Sequence, residues 1–248
     1  CDWSSDVCSS DLGDEMKFSS YLSEATLLRR PIRFLAEVAL PSRQKLVIRC
    51  PNLGRLLSCD ILGTRLWFSN PTGLHCLPTW ELAEVDSGHI VGINPELVSP
   101  VFKEGVKNKS FQQLIDYDLI YDESNDRVRL LRLENKSDVC YVGLEHVTLA
   151  DDNGVGYFPE SPNTSMSTLK NLIKLKRQGH EVKLCFCALH TGVKSIRVAS
   201  HISSDYYKLL QIAINEGIEI LAYRAIISIY NMELSVEVPI LMPEKIGS

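Results

Sequence analysis

The hydrophobic pattern changes period near Asn94, and that change constrains the fold more than any single motif. Before it, short β-like runs cover Arg33–Leu40, Lys45–Cys50, Arg65–Ser69, Thr79–Val85 and His89–Asn94. Gly54, Gly63, Asn70-Pro71 and Asp86-Ser87-Gly88 break them. Short strands at this spacing, with no long helix between them, predict a small OB-like β-barrel. After Asn94, helical and strand periods alternate. Helices are expected over Leu97–Lys107, Phe111–Tyr117, Ser165–Gln178 and Ser203–Glu216. Strands are expected over Arg127–Glu134, Cys140–Leu149, Glu181–His190, Ile218–Arg224 and Glu233–Ile240. Ser203-Ser204-Asp205 is an N-cap signal for the last helix, and Gly217 is its stop. The alternation predicts a mixed sheet with flanking helices. The expected fold is therefore a two-domain α+β or α/β chain, with the barrel over 16–94 and the second domain over 95–248.

Residues 1–12, Cys-Asp-Trp-Ser-Ser-Asp-Val-Cys-Ser-Ser-Asp-Leu, look like a sequencing adapter translated in frame. They carry neither the positive start nor the apolar stretch of a signal peptide. Residues 1–15 are therefore expected to stand outside the fold, with the natural start between Gly13 and Met16. The formal net charge of -5 changes with them. Five of the 31 acidic residues lie there, which leaves 26 against 26 Lys and Arg. A near-neutral chain is no general polyanion coat, so any nucleic-acid contact must come from a local patch. No apolar run reaches the roughly 18 residues of a membrane span, and a cytoplasmic protein with no membrane contact is expected.

Six cysteines remain after the leader: Cys50, Cys59, Cys76, Cys140, Cys185 and Cys187. In a cytoplasm they are expected to stay reduced. Cys185 and Cys187 sit in an apolar run and read as small buried hydrophobes. Cys50, Cys59, Cys76 and His75 supply zinc-ligand types, but with no Cys-x-x-Cys pair and no structural zinc spacing.

Several short motifs occur in a specific order: Met16-Lys17-Phe18-Ser19, Arg33-Phe34-Leu35-Ala36-Glu37-Val38, Cys50-Pro51-Asn52-Leu53-Gly54 and Thr79-Trp80-Glu81-Leu82. Cys140-Tyr141-Val142, Val147-Thr148-Leu149, Gly156-Tyr157-Phe158-Pro159 and Gly217-Ile218-Glu219-Ile220-Leu221-Ala222-Tyr223 follow. Collinear from Met16 to about Leu241, they resemble the bacterial sugar fermentation stimulation (SfsA) family. The resemblance implies an OB-like domain joined to a nuclease-like domain of the PD-(D/E)xK, restriction-endonuclease type. It also implies DNA binding and a regulatory link to sugar (maltose) metabolism. The family's site, by the same resemblance, uses an aspartate in Ser-Arg-Ile-Asp, a Glu-x-Lys on the next strand, an acid in Phe-Pro-Asp and a basic Arg-Gly/Lys-His segment. Such carboxylates hold Mg2+, which polarises the scissile phosphate and activates water, while the lysine steadies developing charge.

This chain departs from that pattern. The aspartate position is Arg129, the glutamate is Gly143, the lysine is Glu145, and the Phe-Pro-Asp acid is Glu160. The basic segment reads Thr164-Ser165-Met166-Ser167-Thr168-Leu169. No confident catalytic residue is left and no cofactor is expected, so the expectation is a pseudoenzyme. The alternatives are a Mg2+-dependent nuclease rebuilt from Glu104, Glu145 and Glu160, or an interaction module without nucleic acid. Arg129 and Glu145 are expected to pair as a cross-strand salt bridge filling the cation position. His146 is expected on the opposite sheet face from Glu145, because strand neighbours alternate.

For DNA, the candidate contacts are Arg33, Asn52 and Arg55 on the barrel and Lys170, Lys174 and Arg177 on one helix face. A lysine stripe on an amphipathic helix reads equally as a solvated face. Trp67, Phe68 and Trp80 are candidates either for base stacking in a barrel groove or for its core, with Trp80 assigned to the core.

Overall fold

The computed structural model describes residues 16–18, 21–71, 76–85, 88–125, 128–159, 162–199 and 203–241. The leader 1–15, His75 and Glu160 lie outside the described residues. The first half holds β1 (Met16–Lys17), β2 (Ser23–Ile32), β3 (Leu35–Ala39), β4 (Lys45–Arg49), β5 (Arg65–Ser69), β6 (Thr79–Glu84) and β7 (Ile90–Gly92). Next come α1 (Val98–Lys107), β8 (Leu119–Asp122), β9 (Leu130–Glu134), β10 (Val139–Val147), β11 (Leu149–Ala150) and β12 (Val155–Phe158). The chain continues through α2 (Pro162–Arg177), β13 (Glu181–Ala188), β14 (Ser195–Val198), α3 (Ser204–Asn215), β15 (Glu219–Ile227), β16 (Asn231–Glu237) and β17 (Ile240–Leu241).

Strands β2 to β6 form the barrel, in the order β4-β3-β2-β5-β6 with β7 added at the β6 edge. Closure is a parallel contact of β4 with β6 at Arg49↔Thr79. The sequence pattern does not reveal β2, because only Ala25 and Leu27 of its ten residues are buried and Arg29, Arg30 and Pro31 disguise its far end. Trp80 is fully buried and its indole N–H donates to the Leu82 carbonyl (2.9 Å), which satisfies the ring's polar edge inside the barrel.

The second half is built on a seven-stranded sheet, β1-β16-β15-β13-β10-β9-β8, in which β10, β13 and β15 run parallel. Met16–Lys17 pairs with β16 at its edge, not with the barrel. On one face α1 packs Val98, Val101 and Phe102 against Val142 and Leu144. On the other, α2 and α3 pack Leu169, Leu172, Tyr206 and Leu210 against Leu184 and Phe186. Trp67 and Leu82 of the barrel join the α1-side core, so the two halves share apolar packing.

The Ser203 hydroxyl caps α3 by accepting from the Tyr206 N–H (3.2 Å), and Gly217 ends it at φ +84. The expected helix over Phe111–Tyr117 is a single 3-10 turn, Gln112–Leu114. A second sheet, β11-β12-β14-β17, has no counterpart in the sequence expectation, because its strands are two to four residues long. Strand β7 also ties the halves together: Gly92 N–H donates to Leu189 O (2.7 Å) and Thr191 N–H to Ile90 O (3.0 Å). Among the described residues, no helix is long and apolar enough to cross a membrane.

Candidate functional site

Strand β10 carries Gly143 and Glu145 between β9 and β13. Alternation sends both towards α2, while Leu144 and His146 take the other face. An ideal Cβ on Gly143 would lie 2.6 Å from Leu172 Cδ1 and 3.0 Å from Thr168 Cγ2. Helix α2 therefore occupies the space that a side chain at 143 would need. Glu145 is 4% exposed, and its Oε2 accepts from the Ser165 hydroxyl at 3.1 Å. Its Oε1 is buried with no hydrogen-bond partner. Burial pushes this carboxyl up to about 8, against the pull of the Ser165 hydrogen bond and the Arg129 charge. At neutral pH it keeps its proton. The Tyr206 hydroxyl on α3 is likewise buried without a hydrogen-bond partner, and burial, then the Glu145 charge, raises its phenol well above the ordinary value.

The expected Arg129–Glu145 salt bridge does not form. The pairing of Gly143 with Leu130, and the bond from Leu144 N–H to Arg129 O (3.1 Å), place Arg129 opposite Leu144 and outside β9. Residues directly opposite in an antiparallel pair share a face, so register alone turns Arg129 away from Glu145. The guanidinium is still near enough to bias both Glu145 and His146. His146 lies on the face opposite Glu145, as alternation predicts, with Nε2 2.9 Å from Gly92 O. Burial, then the Arg129 charge, lowers its imidazole to about 3. The neutral ring donates its Nε2–H to β7 across the domain junction, so this histidine is a strut with no spare proton acceptor on that nitrogen.

Glu104 lies on α1, on the opposite sheet face from the Glu145 carboxyl. The structure does not bring these two candidates to one face, and their proposed third partner, Glu160, is outside the described residues. Among the described residues no three His, Cys, Asp or Glu side chains are placed to share a metal ion. A hard divalent cation takes several oxygen ligands, including ionised carboxylates. One proton-bearing, hydrogen-bonded carboxyl near an arginine does not fit that need. All six described cysteines are free thiols; five are buried and Cys76 is exposed.

A cleft of about 130 Å³ at the domain junction is lined in part by His89, His190, Asp151 and Lys194. Two of its polar groups, His190 and Asp151, are already engaged. His190 Nδ1 accepts from Gly192 N–H (3.0 Å), and the Asp151 carboxylate accepts from Asn153 N–H, Val155 N–H and the Tyr157 hydroxyl. Burial, then the His89 charge, lowers His190 to about 4, so it is neutral near pH 7.

The basic candidates separate by partner. On the barrel, Arg29 pairs with Glu37, Arg49 with Glu96, and Arg65 with Glu24 and Glu84. Arg33 and Arg55 are exposed and make no ion pair among the described residues. Arg30 is the cation whose role the sequence hides. Its side chain is 3% exposed and donates to the carbonyls of Arg33 (2.6 Å), Asn52 (2.6 Å) and Gly54 (3.0 Å). It clamps the β2–β3 turn to the Cys50–Gly54 loop, while the Asn52 carboxamide oxygen accepts from Gly54 N–H (2.8 Å). Arg30→Ala is expected to lower the unfolding free energy by about 2 kcal/mol, measured by urea denaturation, because its charge-assisted bonds to three carbonyls and its ion pair with Asp60 are lost. An unchanged midpoint would show the clamp to be dispensable. On α2, Lys170 and Lys174 are exposed, whereas Arg177 is held by Glu216. The stripe of three is thus two open cations and one ion pair. Trp67, Phe68 and Trp80 are all buried, which removes them as base-stacking candidates.

A five-stranded barrel closed by a parallel contact, joined to a mixed sheet with helices on both faces, defines an OB domain coupled to an α+β domain. Residues 28–93 match the SfsA N-terminal OB domain, and residues 96–230 match the sugar fermentation stimulation protein RE domain. The sugar fermentation stimulation protein homolog of Shewanella woodyi is 36% identical over 222 residues, covering 84% of this chain and 92% of that one. The homolog of Pseudoalteromonas atlantica is 31% identical over 235 residues, covering 92% and 100%. The structure described as Pyrococcus furiosus SfsA in complex with Ca2+ superposes with a TM-score of 0.81 at 22% identity, over 91% of this chain and 98% of that one. The chain belongs to the sugar fermentation stimulation protein family.

Proposed function

We propose that this chain is a DNA-binding member of its family whose restriction-endonuclease-type domain no longer performs metal-dependent cleavage. The observation that carries the loss of chemistry is the packing at β10. Leu172 and Thr168 fill the space beside Gly143, and Glu145, in the lysine position of the family's Glu-x-Lys, is a buried, protonated carboxyl. With the Glu145 carboxyl protonated, and no three metal-ligand side chains gathered among the described residues, Mg2+ lacks a hold against a phosphate, and Arg129 adds like charge. Binding is assigned to the barrel edge at Arg33, Asn52 and Arg55, with Lys170 and Lys174 as further phosphate contacts. Arg177 contributes only if its bond to Glu216 opens. The name shared by the relatives supports a role in controlling sugar use, exerted through nucleic acid in the cytoplasm.

Three measurements test this reading. Wild-type protein binds dye-labelled DNA at low salt, and its affinity falls steeply as salt rises. Arg33→Ala with Arg55→Ala flattens that log–log slope by about two, one unit per lost phosphate contact. Calorimetric titration with Mg2+ or Mn2+ gives no binding heat at the Glu145 locus, and no strand cleavage appears with either ion. Cleavage that vanishes in Glu145→Gln would establish the rebuilt nuclease instead. No DNA binding at low salt would favour the interaction module.

A further inference from the structure

The buried Arg30 guanidinium gathers the Arg33, Asn52 and Gly54 carbonyls around one point, and Cys50 N–H donates to Phe34 O at 2.8 Å. The β2–β3 turn and the 50–55 loop therefore form one edge of the barrel. On that edge Phe34 is 54% exposed and Leu53 is 59% exposed, and Arg33 and Arg55, one and two residues away along the chain, are exposed as well. A turn tip is the easiest place on a barrel to keep polar, so a phenyl ring displayed there forfeits burial that folding favours. The edge is also held in advance of any partner. Leu56 is buried in the barrel core at φ +52, a strained backbone conformation for leucine, and Arg30 fixes both segments.

We infer that Phe34, supported by Leu53, is a stacking platform for an unpaired base, and that this edge selects single-stranded over duplex nucleic acid. The inference rests on the nucleic-acid reading above and adds to it the strand class and the discriminating residue. Two cations with no carboxylate partner among the described residues match a phosphate backbone, and the exposed ring on the same edge matches the face of a base. A duplex keeps its bases stacked on one another, so it offers the cations their phosphates but leaves the ring nothing to stack on. A protein partner or a second copy of this chain would use the apolar side chains but has no need of both open guanidinium groups.

The test is fluorescence anisotropy with a dye-labelled oligothymidylate and a duplex of equal length, at two salt concentrations. Wild type is expected to bind the single strand roughly ten-fold more tightly than the duplex. Phe34→Ala should lose about ten- to a hundred-fold on the single strand and little on the duplex, in line with stacking contributions from alanine substitutions. Phe34→Tyr should restore the preference, and circular dichroism melting should show both variants folded. Arg33→Ala should weaken both substrates and reduce both salt slopes. Equal affinity for the two substrates, unaffected by Phe34→Ala, would overturn the platform while leaving nucleic-acid binding intact. No binding of either substrate would overturn the nucleic-acid reading itself. A change of oligomeric state in Phe34→Ala by light scattering, with DNA affinity unchanged, would assign the edge to a second copy and also overturn the platform.

Discussion

Glu145→Gln is expected to raise the unfolding free energy by about 3 kcal/mol at pH 7 and about 4 kcal/mol at pH 8, with little change at pH 4. Burial lifts the carboxyl from its ordinary 4.5 to about 8 in the folded protein. Above 4.5 the unfolded chain releases this proton readily, while the folded chain must either keep it or bury a charge. Stability contributed by the neutral carboxyl is thus fully present below 4.5 and is lost as pH rises through 8. Glutamine has the same shape and no proton to lose, so the difference between the two proteins grows across that window. His146 works in the opposite direction. Its imidazole falls from 6.5 to about 3 on folding, so stability is lost as pH drops from 6.5 towards 3. The pair together yields a plateau between about 4.5 and 6.5, with an alkaline limb that belongs to Glu145. Urea denaturation of both proteins at intervals from pH 4 to 9 measures this; parallel stability curves would mean that the carboxyl titrates as an ordinary surface glutamate.

Placing glutamate at position 143 is expected to destabilise the chain by more than about 3 kcal/mol and to leave Mg2+ binding undetectable. The Cβ alone meets Leu172 Cδ1 at 2.6 Å, and overpacking of this kind is worth about 1–3 kcal/mol; an ionised carboxylate among apolar side chains adds several more. Gly143→Ala isolates the steric part. Leu172→Ala on its own should be destabilising by about 2–5 kcal/mol, since it empties a fully buried site. In the double variant the alanine methyl occupies part of the vacated space, so the loss should fall short of the summed single losses by about 1–2 kcal/mol. Simple additivity would show that Leu172 does not fill the position beside Gly143. A Gly143→Glu protein of wild-type stability that takes up Mg2+ would show that the cation site is intact but for one residue.

These two positions mark how far the chemistry is legible along the chain. Which residues stand at 129, 143, 145 and 160 is written in the chain, and that they replace an acidic pattern is what the family resemblance implies. Pairing of Arg129 with Glu145 is a reasonable expectation from adjacent strands, yet the register sets Arg129 against Leu144 and so onto the other face. Likewise, Arg30 looks like one more surface cation beside Arg29 and Arg33. Only the approach of the Cys50–Gly54 loop, some twenty residues on, turns it into a buried clamp.

By itself the sequence determined the barrel-then-mixed-sheet order, family membership, the helix caps, the thiol character of the cysteines and the alternation that separates Glu145 from His146. Each is a local property: a period, a spacing, or a residue type in a motif. The tertiary structure alone decided that Glu145 holds a proton, that Leu172 fills the space beside Gly143, and that Phe34 is exposed while Trp67, Phe68 and Trp80 are buried. Desolvation, register and occupied volume arise from segments distant in the chain packing together, and no window of neighbouring residues contains them.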